Sequence, residues 1–60
     1  MTREALIEVH ALLEEVDDII YRDARSRGPQ DFVYTEDEVT LTTIVDEAQG
    51  QIVKMLEVQP

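Results

Sequence analysis

The spacing of apolar residues in the first third of the chain is the feature that most limits its fold. From residue 5 to residue 20, apolar side chains recur at intervals of three and four, the period of an amphipathic α-helix. The residues of this stripe are Ala5, Leu6, Val9, Leu12, Leu13, Val16, Ile19 and Ile20. At about 100° per residue they cover an arc of about 140°. One neighbouring helix cannot cover so wide a stripe, so the pattern predicts a helix that packs in a bundle.

Clear end signals bound this first helix. Thr2 is suited to the N-cap position, because its hydroxyl can accept a hydrogen bond from a free N–H of the first turn. At the other end, cationic side chains suit the negative end of the helix dipole, glycine suits the cap, and proline cannot continue the helix. The residues concerned are Arg22, Arg25, Arg27, Gly28 and Pro29. The sequence therefore predicts a helix over about residues 3–27.

A capping box opens the second predicted helix. Thr35 stands three residues before Glu38, the spacing at which the two side chains cap each other's backbone N–H groups. Apolar residues then share one helical face through Leu41, Ile44, Val45, Ala48, Ile52, Met55 and Leu56. These signals predict a helix over about residues 36–57.

A β-hairpin is the competing interpretation of the start of this segment. Residues 39–45 read VTLTTIV and are rich in β-branched side chains, which favour strands. A turn around residues 36–38 would then join two short strands. The capping box and the helical spacing that continues to Leu56 favour the helix. Between the helices, Phe32, Val33 and Tyr34 are apolar enough that we expect this connection to fold back over one end of them.

Two helices joined by a short connection predict a single all-α domain over residues 1–60, an antiparallel two-helix hairpin. A lone hairpin leaves part of each stripe in water. On the first helix we expect Ala5, Leu12 and Ile19 to remain uncovered. We therefore predict a homodimer in which two hairpins form a four-helix bundle, with two-fold symmetry.

The charge balance excludes some partners and suggests an environment. Fourteen acidic residues stand against five basic ones, of which only Lys54 is a lysine, and the net charge is -9. Such a chain repels nucleic acid and anionic membranes. An acidic, lysine-poor surface is typical of proteins from salt-loving organisms, in which concentrated salt screens self-repulsion. With neither cysteine nor a signal-peptide or membrane-spanning pattern, we expect a cytoplasmic protein.

The single histidine provides the one candidate ligand site. His10 and Glu14 are four residues apart and Glu14 and Asp17 are three apart, so the three side chains can converge on a helix surface. One imidazole and two carboxylates suit a divalent metal such as Zn, Mn, Fe or Ni. The simpler interpretation is a histidine at the margin of the apolar stripe, beside solvated acids. The sequence itself calls for no cofactor, because it has no glycine-rich phosphate loop and no Ca²⁺-binding loop.

Residues 5–16, ALIEVHALLEEV, resemble the opening helix of a small uncharacterised archaeal helical family with the pattern E-L-I-x-L-H-x-L-L-x-E-V. The matching positions are Leu6, Ile7, His10, Leu12, Leu13, Glu15 and Val16. The match covers about a fifth of the chain, and the family's proline-threonine and histidine-rich stretch has no counterpart in residues 39–56. The resemblance implies an archaeal helical protein and assigns no activity.

No catalytic set accompanies these features. The sequence is therefore interpreted as a non-enzymatic acidic module that forms a homodimer and engages a protein partner. The alternatives are a metal-binding bundle using His10, Glu14 and Asp17, and an acidic mimic of nucleic acid.

Overall fold

The computed structural model describes residues 1–28 and 33–58, and within them the chain forms two α-helices. Helix α1 spans Arg3–Arg25 and helix α2 spans Glu36–Val58, each of 23 residues. They pack side by side in opposite directions. The hydrogen bond from Arg3, near the start of α1, to the backbone oxygen of Leu56, near the end of α2, shows this orientation. The predicted all-α two-helix hairpin is confirmed, and the predicted helix ends are correct to within two residues.

Helix α1 begins and ends largely as its capping residues predict. The backbone N–H of Ala5 donates to the Thr2 hydroxyl over 3.1 Å. At the far end the helix stops at Arg25, two residues earlier than expected. The N–H groups of Arg27 and Gly28 bond carbonyls three residues back, so the last turn is tighter than an α-helix. Gly28 has a φ of 137°, which a residue with a side chain rarely adopts, and it ends the turn.

The capping box at the start of α2 is formed in both directions. The Glu38 N–H donates to the Thr35 hydroxyl over 3.3 Å, and the Thr35 N–H donates to the Glu38 carboxylate over 2.8 Å. The predicted capping box is thus confirmed.

Residues 39–45 are helical, so the β-hairpin interpretation is wrong. The threonines of this segment return their hydroxyls to the helix: Thr40 donates to the Glu36 carbonyl, and Thr42 and Thr43 donate to the Val39 carbonyl. These bonds satisfy each hydroxyl within its own helix. The β-branched run therefore lowers helix propensity without preventing the helix.

The core lies between the two helices and is small. Among the described residues its buried apolar members are Leu6, Ala24, Val45 and Ile52. Val9, Leu13, Ile20 and Leu56 border it and are only partly covered. A small domain has little surface to bury on folding, and only these few apolar side chains of the described residues are sheltered.

The described part of the connection does not cover the end of the hairpin as expected. Val33 is 75% exposed, whereas Tyr34 is partly buried. Phe32, the third residue of that expectation, lies outside the described residues. The prediction for Val33 is wrong because the chain enters the capping box at Thr35 only two residues later, which leaves Val33 no length of chain with which to fold back over the helices.

Gly50 is an exposed glycine within α2. Replacing it with alanine tests whether the space beside its Cα atom is unoccupied in solution. A Cβ atom built at Gly50 meets nothing within 4 Å. We expect Gly50→Ala to stabilise the protein by about 1 kcal/mol, because alanine loses less backbone entropy in a helix. Urea unfolding at a fixed protein concentration measures the change. A loss of stability would contradict the prediction and indicate a neighbour packed against Gly50 in solution.

Candidate interaction surface

Each helix has one line of residues that faces the other helix. All members of these lines are buried or partly buried, and we call them the contact lines. They are Leu6, Leu13, Asp17, Ile20 and Ala24 on α1, and Glu38, Thr42, Val45, Gln49, Ile52 and Leu56 on α2. The hydrogen bond from the Gln49 side chain to the His10 carbonyl, 3.4 Å long, crosses between the helices at mid-length.

A second apolar line runs along each helix, and its large side chains are about half exposed. On α1 the exposed fractions are 54% for Leu12, 41% for Val16 and 52% for Ile19. On α2 they are 51% for Leu41, 56% for Ile44 and 50% for Met55, and the smaller Ala5 and Ala48 complete the two lines. The expectation that Leu12 and Ile19 stay uncovered in a single hairpin is confirmed, and Ala5 is partly covered.

The two exposed lines lie on the same side of the hairpin. Each of their residues directly precedes a residue of a contact line: Leu12 precedes Leu13, and Ile44 precedes Val45. The exposed line is therefore displaced from the contact line in the same rotational sense on both helices. In an antiparallel pair, equal displacements point to the same side. We call the surface formed by these eight residues the apolar face: Ala5, Leu12, Val16, Ile19, Leu41, Ile44, Ala48 and Met55.

The two halves of the apolar face match each other in position along the hairpin. Their residue numbers mirror each other about residue 30, which places Leu12 beside Ala48 and Val16 beside Ile44. The hydrogen bonds that link Arg3 to Leu56 and Gln49 to His10 are consistent with this register. At two of the four levels a large side chain lies beside a small one, Leu12 beside Ala48 and Met55 beside Ala5.

Acidic residues close the apolar face at the end where the two helices are connected. Asp23 follows Ile19 by four residues and Asp37 precedes Leu41 by four, so both continue the exposed lines. Both are exposed. The apolar face therefore has one charged end and no charged residue within its two lines.

The opposite side of the hairpin has a different composition. Its residues are those that follow the contact lines, and they mix charged, polar and apolar side chains: Ile7, Glu14, Asp18, Tyr21, Arg25, Val39, Thr43, Asp46, Gly50, Val53 and Glu57. By the same register the exposed valine Val53 lies beside Ile7 across the hairpin, and Asp46 and Glu57 lie near it along α2. Within the described residues, only the apolar face has two lines without charged side chains.

The apolar face would form the centre of an interface. It spans residues 5–19 and 41–55, so each line is about 22 Å long, and two helices about 10 Å wide give a face of roughly 450 Å². Stable protein interfaces bury about 800 Å² on each partner. An interface of that size on this side of the hairpin would therefore also include the side chains that surround the face.

An ion pair between Arg27 and Glu38 links the end of α1 to the start of α2. Arg27 donates two hydrogen bonds to the Glu38 carboxylate, at 2.6 and 2.8 Å, and Glu38 is buried. The hydrogen bonds from Arg27 and from the Thr35 N–H lower the pKa of Glu38 from 4.5 to about 2. The sequence indicated Arg27 as an end signal and Glu38 as a cap, but their pairing across the connection was not foreseen. The sequence signal for this pairing is the positive charge of Arg27 before the short connection and the negative charge of Glu38 after it.

Of the three residues of the candidate metal site, Asp17 belongs to the contact line of α1, and His10 and Glu14 lie beyond that line, away from the apolar face. His10 Nδ1 lies 3.6 Å from Glu14 Oε1, and the Glu14 side chain is 69% exposed. Asp17 is partly buried, and its Oδ1 atom accepts no hydrogen bond from the described residues. Across residues 1–28 and 33–58, no group of three or more potential ligands is close enough to hold a metal ion. The structure thus brings His10 and Glu14 together and does not assemble all three around one point.

In the described part of the chain, neither helix contains a stretch long and apolar enough to cross a membrane. Comparison of the chain with protein-family models, with curated protein sequences and with solved structures gives no match. The resemblance of residues 5–16 to an archaeal family therefore stays a prediction.

Proposed function

We propose that this protein is a non-enzymatic interaction module that pairs with a second copy of itself through the apolar face. Two hairpins then form a four-helix bundle with an acidic exterior, which is presented to a protein partner. The observation that carries the proposal is the set of half-exposed large side chains on one side of the hairpin, which are Leu12, Val16 and Ile19 on α1 and Leu41, Ile44 and Met55 on α2.

A second copy is the occupant that this surface fits best. The apolar face is built from one line on each of two antiparallel helices, and a second copy offers the same apolar surface to it. A homodimer with two-fold symmetry is the commonest oligomer, and it covers both apolar faces at once. At about 25 cal/mol per Å², hiding a few hundred Å² of apolar surface contributes on the order of 10 kcal/mol before association costs. That gain is comparable with the whole stability of a small domain.

The mass of the protein in solution tests the proposal. Light scattering coupled to gel filtration should give about twice the chain mass of 6.9 kDa at micromolar concentration. Dilution should reveal a concentration-dependent return to the single chain, since the fold gains stability from association. A monodisperse species of 6.9 kDa that remains fully helical at high concentration would contradict it.

Binding of a divalent metal by His10 with Glu14 or Asp17 is the second candidate function. It is supported by the 3.6 Å approach of His10 to Glu14 and by the buried Asp17 oxygen, which has no hydrogen-bond donor among the described residues. Calorimetric titration with Zn²⁺, Mn²⁺ and Ni²⁺ should then give saturable heat that His10→Ala abolishes. Heat that survives in His10→Ala, or none in the natural chain, would reject this function.

The acidic surface supports an origin in the cytoplasm of a salt-loving archaeon. With a net charge of -9, the folded chain suffers self-repulsion that salt relieves. We expect helicity, followed by circular dichroism, to rise as KCl increases from millimolar to molar concentration. An unchanged spectrum across that range would contradict the proposed environment and leave the dimer unaffected.

A further inference from the structure

The charged end of the apolar face distinguishes between the two ways in which two copies can stack. In one arrangement the two connections lie at the same end, and α1 covers the partner's α2. In the other the connections lie at opposite ends, so that α1 covers the partner's α1 and α2 covers the partner's α2. Both arrangements have two-fold symmetry and place every helix antiparallel to its neighbours, so helix dipoles favour neither.

Electrostatic repulsion acts against the arrangement with both connections at one end. Asp23 and Asp37 continue the two exposed lines, so that arrangement gathers four carboxylates in a single layer. The nearest cation, Arg27, is 3.7 Å from Asp23 but is already held by two short hydrogen bonds to Glu38. Stacking in the opposite direction separates the two acidic ends by roughly 30 Å. That distance exceeds the Debye length of about 10 Å at 0.1 M salt, so this arrangement avoids the repulsion. Carboxylates crowded together at one end of an interface are partly excluded from water, and salt screens them less than it screens exposed charges.

The sizes of the side chains do not distinguish between the two arrangements. The apolar part of the α1 line runs from Ala5 to Ile19 and has Leu12 at its middle, and the α2 line from Leu41 to Met55 has Ala48 at its middle. With opposite ends, Leu12 meets the partner's Leu12, Ala48 meets the partner's Ala48, and Ile19 covers the partner's Ala5. With both connections at one end, Leu12 covers the partner's Ala48, so each arrangement places some large side chains over small ones. The charges at the connected end therefore decide between them.

We infer that two copies stack with their connections at opposite ends, α1 on α1 and α2 on α2, around an axis that crosses both helices at the level of Leu12 and Ala48. This inference rests on the proposed homodimer and adds its geometry. The acidic end acts as a direction signal, because it makes one orientation of an otherwise symmetrical apolar face unfavourable.

Single-cysteine variants test the arrangement, since the natural chain contains no cysteine. A disulfide requires Cβ atoms about 3.5–4.5 Å apart, so it forms only between residues that face each other directly. We expect Leu12→Cys alone and Ala48→Cys alone each to yield a disulfide-linked dimer under mild oxidation. An equimolar mixture of the two variants, allowed to exchange chains before oxidation, should yield linked dimers of each variant with itself and few mixed ones. Mass spectrometry separates these products.

The possible outcomes separate the geometry from the dimer itself. Mixed dimers that form while neither variant links alone would overturn the inferred arrangement and retain the homodimer. Absence of cross-links in a protein that scatters light as a dimer would also overturn it. If the natural chain scatters light as a monomer, the proposed function fails before the geometry is in question.

Discussion

Replacing Val16 with glutamate should dissociate the protein into single hairpins. Val16 lies between Leu12 and Ile19 on the apolar face and is 41% exposed in the single chain, so the change does not disturb the contact between α1 and α2. In the dimer it removes a buried apolar side chain, worth about 1.5–3 kcal/mol, and places an unpaired carboxylate in an apolar interface. Together these effects should weaken dimerisation at least about 100-fold. Sedimentation equilibrium over a range of concentrations measures the dissociation constant.

Val53→Glu is the matched control for this experiment. Val53 is also a helical valine of similar exposure, 44%, but it lies on the mixed, charged side of the hairpin. The substitution adds the same negative charge to the chain, so general electrostatic repulsion affects both variants alike. We expect the dimer of Val53→Glu to have nearly the natural dissociation constant. Equal weakening by both substitutions would show that charge, and not the apolar face, controls association.

Replacing Glu38 with glutamine should cause the largest loss of stability of any polar substitution in the described residues. Glutamine keeps the size of the side chain but removes its charge. It therefore weakens both hydrogen bonds from Arg27 and the capping bond from the Thr35 N–H, which are 2.6–2.8 Å long. Charged hydrogen bonds are stronger than neutral ones, and here three of them meet on one buried carboxylate. The midpoint of thermal unfolding should fall by several degrees, as followed by circular dichroism.

At low pH the natural chain and Glu38→Gln should have the same midpoint of thermal unfolding. Folding lowers the pKa of Glu38 from 4.5 to about 2 because the Arg27 and Thr35 donors favour its charged form. The stability it contributes is therefore fully present above pH 4.5 and is lost as the pH falls towards about 2. Unfolding midpoints of the two proteins should differ most near pH 6 and converge near pH 2. The comparison between variants cancels the titration of the other carboxylates.

Asp18→Asn provides the control for the ion pair. Asp18 and Arg22 form an exposed pair on α1 at 3.3 Å, one helical turn apart, with both side chains about two-thirds exposed. Such pairs contribute only a few tenths of a kcal/mol. We expect Asp18→Asn to unfold almost as the natural chain does at every pH. If Glu38→Gln were no more destabilising than Asp18→Asn, the Arg27–Glu38 pair would have no special role in joining the helices.

The local features of the fold were predictable from the sequence because their causes lie within a few residues. The Thr2 cap and the Thr35–Glu38 capping box each involve residues three positions apart, and both occur where their spacing indicated. The helical period outweighed the β-branched composition of residues 39–45, since the threonine hydroxyls found acceptors in the preceding turn. The end of α1 was less predictable because its last turn tightens after Arg25.

The candidate site was predictable only in part. The width of the α1 stripe indicated that Leu12 and Ile19 would be left uncovered, since one neighbouring helix covers only part of such an arc. The sequence does not indicate which residues of α2 join them, because the seven apolar residues of α2 share one broad helical face. The pairing of the chain divided that face into a buried part, with Val45 and Ile52, and an exposed part, with Ile44 and Met55.

The sequence by itself determined that this chain makes two amphipathic helices and where each begins, because periodicity and capping act over one or two helical turns. Only the tertiary structure decided that the exposed lines of both helices lie on one side, and that Arg27 meets Glu38 across the connection. These outcomes depend on the relative rotation and register of two helices, which no local pattern specifies. The apolar face arises from that rotation, and the proposed function depends on it.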